Sequence, residues 1–271
     1  EAAGGVLNED EDLLDTVTYL VENPHIVTCE FDKNFLQIPD IVLITEMKEH
    51  QKYFAILDKQ GKLINKFLVT SNNPETEFVK RGNVKVISAR FTDAGFFYKE
   101  DAKLKLEQRV DSLKNVLFHK ELGSIYDKIE RMDAIASIIS DMLGLDDSTK
   151  SKVKRAVFLS KADLDTAMVY EFASLQGKVG RIYAINDGED IEVAEAINDH
   201  YRPRFHGDKV PDGIVSVVLS MAEKIDNILG SYSVGNIPKG SQDPYALRRQ
   251  ANAAVELIIR NNLSIDLAEV L

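Results

Sequence analysis

Two stretches repeat apolar residues with the period of an α-helix, and they constrain the fold more than any other feature of the chain. Ile214, Val218, Met221, Ile225 and Ile228 fall 4, 3, 4 and 3 residues apart. Ile129, Met132, Ile135, Ile139 and Met142 fall 3, 3, 4 and 3 apart. At 3.6 residues per turn each set lines one helix face, and such a face must be buried. From about Asp101 the chain is therefore expected to be mainly helical. The stretch 175–188 reads as a glycine-punctuated loop between helices. The first hundred residues differ. Leu13, Leu14, Val17, Leu20 and Val21 have helical spacing. Residues 41–44 form a short apolar run. Residues 53–57 and 63–70 flank a glycine-bearing turn and predict a hairpin. Residues 84–87 predict a further strand. The fold class expected is α+β: a mixed α/β domain over residues 1–100, then a helical domain over 101–271 that takes in the start of a further helical region.

No apolar run approaches the roughly 20 residues that span a bilayer, and the chain does not open with a secretory signal pattern. Cys29 has no second cysteine to pair with, and a small buried apolar role is expected for it. These features fit a cytoplasmic protein with no membrane partner. The net charge of −11 argues against a general nucleic-acid coat. It does not argue against a local basic patch, which acts within a Debye length of about 8 Å. Residues 1–32 contain no Lys or Arg but include Glu9, Asp10, Glu11 and Asp12. A solvated end is expected there, with docking as the alternative. The chain lacks an initiator Met and ends within a helical pattern, so a piece of a longer protein is expected.

The segment 237–251 reads as a rigid loop feeding a helix. Asp243 suits an N-cap and Pro244 the first helical position. Leu247, Ala251, Ala254, Val255 and Ile258 predict the buried stripe. Arg248 and Arg249 lie off it, where their forked guanidiniums can grip phosphate oxygens or serve as ordinary surface charges. Arg202 and Arg204 around Pro203, and Lys239 before Gly240, add basic positions. Tyr201, Phe205 and Tyr245 are interleaved with them. Aromatic faces can stack on unpaired bases while cations hold phosphates. Phe205 is expected in the core, whereas Tyr201 and Tyr245 are open to either role. Lys80, Arg81 and Arg90 form a second basic group, with pairing of Arg90 to Asp93 in a turn as the alternative. His200 and His206 read as hydrogen-bonded loop histidines. His25, His50 and His119 stand alone. There is no nucleophile elbow, and Asp163 and Asp165 are spaced onto different helix faces.

Several segments carry a family resemblance. They are His50-Gln-Lys-Tyr-Phe54, Gly82-Asn83, Ala89-Arg-Phe-Thr-Asp-Ala-Gly-Phe-Phe97, Leu159-Ser-Lys-Ala-Asp-Leu164, Glu171-Phe172 and Gln176-Gly177. His200-Tyr-Arg-Pro-Arg-Phe-His-Gly-Asp208, Ala222-Glu-Lys-Ile-Asp226 and Asp243-Pro-Tyr-Ala-Leu-Arg-Arg249 continue the series. In this order and spacing the chain resembles the β subunit of the bacterial tetrameric glycyl-tRNA synthetase. The resemblance implies part of an ATP-dependent ligase whose glycine and ATP site, with its Mg, lies on a separate α subunit. It implies a tRNA-binding and assembly role, with the α subunit and glycine tRNA as partners and DNA not among them. Arg202, Arg204, Lys239, Arg248 and Arg249 are the candidate tRNA contacts. With the active site on the α subunit, no catalytic residue is assigned here, and this chain alone is expected to be inactive and to hold no cofactor. The helical half also resembles the HD superfamily, which binds a divalent metal through a His, a His-Asp pair and a later Asp. The corresponding positions here are Arg131, Ala162-Asp163 and Glu223. With no imidazole among them, a degenerate pocket without metal is expected. A metal-dependent HD-type phosphohydrolase and an assembly scaffold that touches no RNA are the alternatives.

Overall fold

The computed structural model describes residues 4–270. Two compact units divide the chain, one ending at Asp101 and the other beginning at Ala102.

The first unit runs β1 (Val6–Leu7), α1 (Glu11–Leu20), β2 (His25–Glu30), α2 (Asp40–Glu46), β3 (Phe54–Leu57), β4 (Leu63–Ser71) and α3 (Glu77–Asp101). The strands form an antiparallel sheet in the order β1-β3-β4-β2. The expected hairpin is β3–β4. Its turn is held by Asp58, whose carboxylate accepts from the backbone N–H groups of Gln60 and Lys62. Along β4, Leu63, Phe67 and Val69 point inward and alternate with half-buried residues, as the pleat requires. Cys29 on β2 faces Phe67 in the register and is buried, and burial pushes its thiol up to about 11. Tyr53 donates its hydroxyl to Asn83 of α3 at 2.6 Å, which accounts for the Gly82-Asn83 segment.

Three expectations fail in this unit. The acidic start is not merely a solvated end: Asp10 caps α1 by accepting from Leu13 N–H and pairs with Lys48 at 2.5 Å. Residues 84–87 lie inside α3, not in a strand. Ile87, Phe91 and Ala94 bury one side of that helix at spacings of four and three, a helical period that outweighs the local β-branched run. Lys80, Arg81 and Arg90 therefore stand on a helix, and Arg90 approaches Glu46 at 3.9 Å instead of closing a turn with Asp93.

The second unit runs α4 (Leu106–Arg109), β5 (Leu117–His119), β6 (Gly123–Ser124), α5 (Ile125–Met142), α6 (Asp147–Leu159), α7 (Ala167–Glu171), α8 (Lys178–Asp187), α9 (Ile191–Asp199), α10 (Ile214–Ser233), α11 (Leu247–Arg260) and α12 (Leu267–Val270). Ser124 and Asp127 form a reciprocal capping box on α5, while Asp146 and Asp190 cap α6 and α9. The α10 helix is buried on all sides from Val215 to Asp226, with α5, α6, α9 and α11 packed around it. A helix enclosed this way carries into the core whatever polar side chains its sequence contains.

Two further corrections concern helix limits. Most of 175–188 is helix α8, and its glycines mark the ends: Gly177 and Gly188 have φ of 79° and 86°. Helix α11 begins at Leu247 rather than at Pro244. Asp243 still caps it, from farther back, by accepting from Leu247 and Arg248 N–H at 2.8 and 3.0 Å. The buried face comprises Leu247, Ala253, Ala254 and Leu257, while Ala251 and Val255 are exposed, so the expected stripe is rotated toward Ala253 and Leu257.

Candidate functional site

The polar side chains that α10 carries inward meet a buried cluster of charge. From α5, Lys128 and Arg131 reach Asp226. Lys128 Nζ lies 2.7 Å from Asp226 Oδ2 and 3.6 Å from Glu223 Oε1, and Arg131 Nε lies 2.6 Å from Asp226 Oδ1. Beyond α6, Lys161 Nζ lies 3.0 Å from Glu223 Oε2, 2.8 Å from His200 Nε2 and 4.1 Å from the centre of the Tyr201 ring. Lys224 Nζ donates to the His200 carbonyl at 3.0 Å. Lys128, Lys161, Lys224, His200 and Asp226 are each at most 3% exposed.

Removing so much charge from water costs several kcal/mol per ion unless partners compensate. Burial lowers Lys161 from its ordinary value, against the pull of Glu223. Burial opposes ionisation of Glu223, but Lys128 and Lys161 outweigh it and hold that carboxyl well below the usual range. Burial and the adjacent Lys161 hold His200 well below its ordinary value, so the imidazole is neutral. Its Nδ1–H donates to the Ile197 carbonyl at 2.8 Å, which leaves Nε2 to accept from Lys161. His200 thus closes helix α9 instead of sitting in a loop.

Asp163 lies in a turn of 3-10 helix spanning Ala162–Asp165. Burial raises its carboxyl to about 6. Oδ2 accepts from Gly177 N–H at 2.6 Å, and Oδ1 has no hydrogen-bond partner among the described residues. This explains Gln176-Gly177: a Cβ on Gly177 would fall 2.9 Å from the Tyr201 ring, and Gln176 donates to the Tyr201 hydroxyl at 2.6 Å. Gly180 is needed for the same reason, since a Cβ there would stand 2.9 Å from Asp163 Oδ2.

The positions that match the HD pattern do not form a metal centre. Arg131 bonds Asp226, Asp163 faces Gly177 and Glu223 forms ion pairs with two lysines. Guanidinium and ammonium groups are donors only and offer no lone pair to a metal. Among the described residues no group of three or more His, Cys, Asp and Glu side chains could hold a metal ion. The residues present do not fit a divalent cation.

Beside the cluster opens a cleft of about 290 Å³. Its wall includes Gln176, Tyr201, Arg204, Lys224, Arg249 and Gln250, and no carboxylate. Two of the five basic candidates, Arg204 and Arg249, are thereby brought together. The other three are elsewhere. Arg202 is half-buried and lies 3.5 Å from Asp199. Lys239 is exposed in a tight turn bridged to Gln242, and Arg248 is exposed outside the cleft. Phe205 is 59% exposed, contrary to expectation, while its neighbours His200 and Pro203 are buried. Tyr201 is an anchor, its ring over Lys161 and its hydroxyl on Gln176. Tyr245 is about half exposed. Sequence reading missed Lys128, Lys161 and Lys224. The available signal was three charges, Glu223, Lys224 and Asp226, clustered in a helix whose other residues are uncharged.

The geometry places Arg204, Lys224 and Arg249 around one cleft, beside a buried network of ion pairs. A family model described as glycyl-tRNA synthetase beta subunit matches residues 1–271, and the chain belongs to that family. It is 46% identical over 271 residues to the glycine–tRNA ligase beta subunit of Desulforamulus reducens, covering 99% of this chain and 39% of that protein. The Bacillus subtilis glycine–tRNA ligase beta subunit is 48% identical over 264 residues, covering 97% of this chain and 39% of the relative. That of Actinobacillus pleuropneumoniae serotype 7 is 46% identical over 271 residues, covering 99% and 39%. The chain spans about two fifths of the length of these relatives.

Proposed function

We propose that this chain supports the ATP-dependent attachment of glycine to its tRNA by binding the tRNA and assembling with an α subunit. In this reading the glycine, ATP and Mg chemistry belongs to the α subunit, and the work is cytoplasmic. The observation that carries the proposal is the family match over residues 1–271 together with 46–48% identity to glycine–tRNA ligase beta subunits. The geometry is compatible with it. Arg204, Arg248, Arg249 and Lys239 are exposed and form no salt bridge among the described residues, so their charge is available to phosphates. Among the described residues no helix is long and apolar enough to cross a membrane. Because the whole chain carries a net charge of −11, attraction to RNA must be local and steeply salt-dependent.

Titrating the chain with glycine tRNA and a non-cognate tRNA, at low and moderate salt, tests the RNA half of the proposal. Saturable binding that prefers the glycine tRNA is expected, weakened when Arg248 and Arg249 are changed to Glu. Absent binding, or equal salt-sensitive binding of both tRNAs, would move recognition out of this chain. Capture of the α subunit by a chain that retains no tRNA would leave assembly as its role.

A further inference from the structure

We propose that the cleft lined by Gln176, Tyr201, Arg204, Lys224, Arg249 and Gln250 binds a phosphate group, with the ammonium of Lys224 as its interior anchor. Lys224 is 3% exposed and carries three N–H donors, yet among the described residues its only hydrogen-bond acceptor is the His200 carbonyl at 3.0 Å. Lys224 forms part of the cleft wall. A buried ammonium with spare donors facing a cavity favours an anion there.

The surroundings reinforce that preference. In a chain with eleven more acidic than basic residues, three cations and no carboxylate line one small cleft. Behind its wall Lys128 and Arg131 pair with Asp226, Lys128 and Lys161 pair with Glu223, and Asp163 accepts from Gly177 N–H, while no carboxylate among the described residues forms a salt bridge with Lys224. Burial, aided by Lys161 and Lys128 against the pull of Glu223, lowers Lys224 to about 8, and an arriving anion would relieve that cost.

Three convergent cations exceed what one carboxylate can neutralise. The two guanidinium forks instead suit a tetrahedral oxyanion. A volume of about 290 Å³ is at the small end for ligand sites and accommodates a phosphate with the sugar attached to it. The phosphate can come from an RNA backbone or from a free phosphorylated compound. The inference deepens the tRNA reading and rests on it only for the RNA source.

Isothermal titration calorimetry of the 271-residue chain with inorganic phosphate, paired with phosphorus NMR, provides the test. Saturable binding is expected, weakened about tenfold or more by Arg204→Gln, by Arg249→Gln and by Lys224→Met, since each removes a charge-assisted hydrogen bond. No saturable binding up to tens of millimolar, or binding indifferent to all three substitutions, would overturn the proposal. The two arginines are exposed, so their variants test the site without disturbing the core. Titrating the same variants with glycine tRNA then separates the sources. A parallel loss of tRNA affinity assigns the site to the RNA backbone. Unchanged tRNA affinity with lost phosphate binding assigns it to a free phosphorylated compound. If the parent chain binds no tRNA at all, the phosphate titration still decides the proposal.

Discussion

Replacing Lys224 by methionine should make the protein more stable while weakening its hold on phosphate. An ammonium that ordinarily keeps its proton to 10.5, and here only to about 8, costs the folded state on the order of 3 kcal/mol at neutral pH. Methionine keeps most of the stem's packing and removes the charge. Against that gain stands the lost hydrogen bond to the His200 carbonyl, worth about 1 kcal/mol. A net stabilisation of up to ~2 kcal/mol is expected, in line with the general finding that buried charges are often replaced by apolar residues without loss. The pH dependence fixes the sign. The folded-state pKa is lowered, so between about pH 8 and 10.5 the unfolded chain holds more protons and the parent gains stability as pH rises. The advantage of the variant should therefore be largest below pH 8 and shrink above it. Urea unfolding of both proteins, followed by far-ultraviolet circular dichroism near neutrality and again near pH 10, measures this directly. A loss of more than ~1 kcal/mol at neutral pH would refute the reasoning, because it would make Lys224 a structural partner and not a charge held for a ligand.

Two other substitutions probe the cluster from its acidic side and its wall. Glu223→Gln removes the carboxylate shared by Lys161 and Lys128 and should cost ~3–5 kcal/mol in urea unfolding, most of it through Lys161, since Lys128 keeps Asp226. The Glu223 pKa is held low, so this cost should be present above its ordinary 4.5 and fade as pH falls, and a loss below ~1 kcal/mol at neutrality would show that the pair is dispensable. Gly177→Ala places a Cβ 2.9 Å from the Tyr201 ring at a φ of 79° and should cost at least ~1–2 kcal/mol, read as a lower thermal midpoint. An unchanged midpoint would mean that the Gln176-Gly177 turn relaxes freely.

What could be read from the sequence depended on how local the controlling physics is. Helix α10 and the β3–β4 hairpin were legible because apolar period and turn chemistry are set within a few residues. Residues 84–87 misled for the same reason: Val84 and Ile87 suit a strand locally, and only the burial of Phe91 and Ala94 on the same side reveals the helix. At 175–188, glycines that end a helix look the same in sequence as glycines that interrupt a loop, and the difference is that Gly177 turns to donate to Asp163 fourteen residues away. The basic candidates illustrate the limit for sites. Arg204 and Arg249 are 45 residues apart and meet because two segments converge on α10, whereas Arg248, the immediate neighbour of Arg249, lies outside the same cleft. Which of two adjacent arginines lines a cavity is decided by helix phase, and the start of α11 was misplaced by three residues.

The interior chemistry follows from what replaces the imidazoles of the HD pattern. A centre of that type concentrates positive charge on a metal held by neutral and acidic ligands, and the metal then meets an oxyanion. Here the first ligand position holds Arg131, the His-Asp pair is Ala162-Asp163, and lysines stand at 128, 161 and 224. These side chains cannot ligate a metal, yet they supply the same sign of charge with their own ammonium and guanidinium groups. The carboxylates that would have held a cation are instead occupied by Lys128, Arg131, Lys161 and the Gly177 amide. Positive charge at these positions comes from side chains that offer no lone pair to a metal. Under the reading proposed above, such a pocket would grip a phosphate through ammonium and guanidinium donors and supply no metal-activated water.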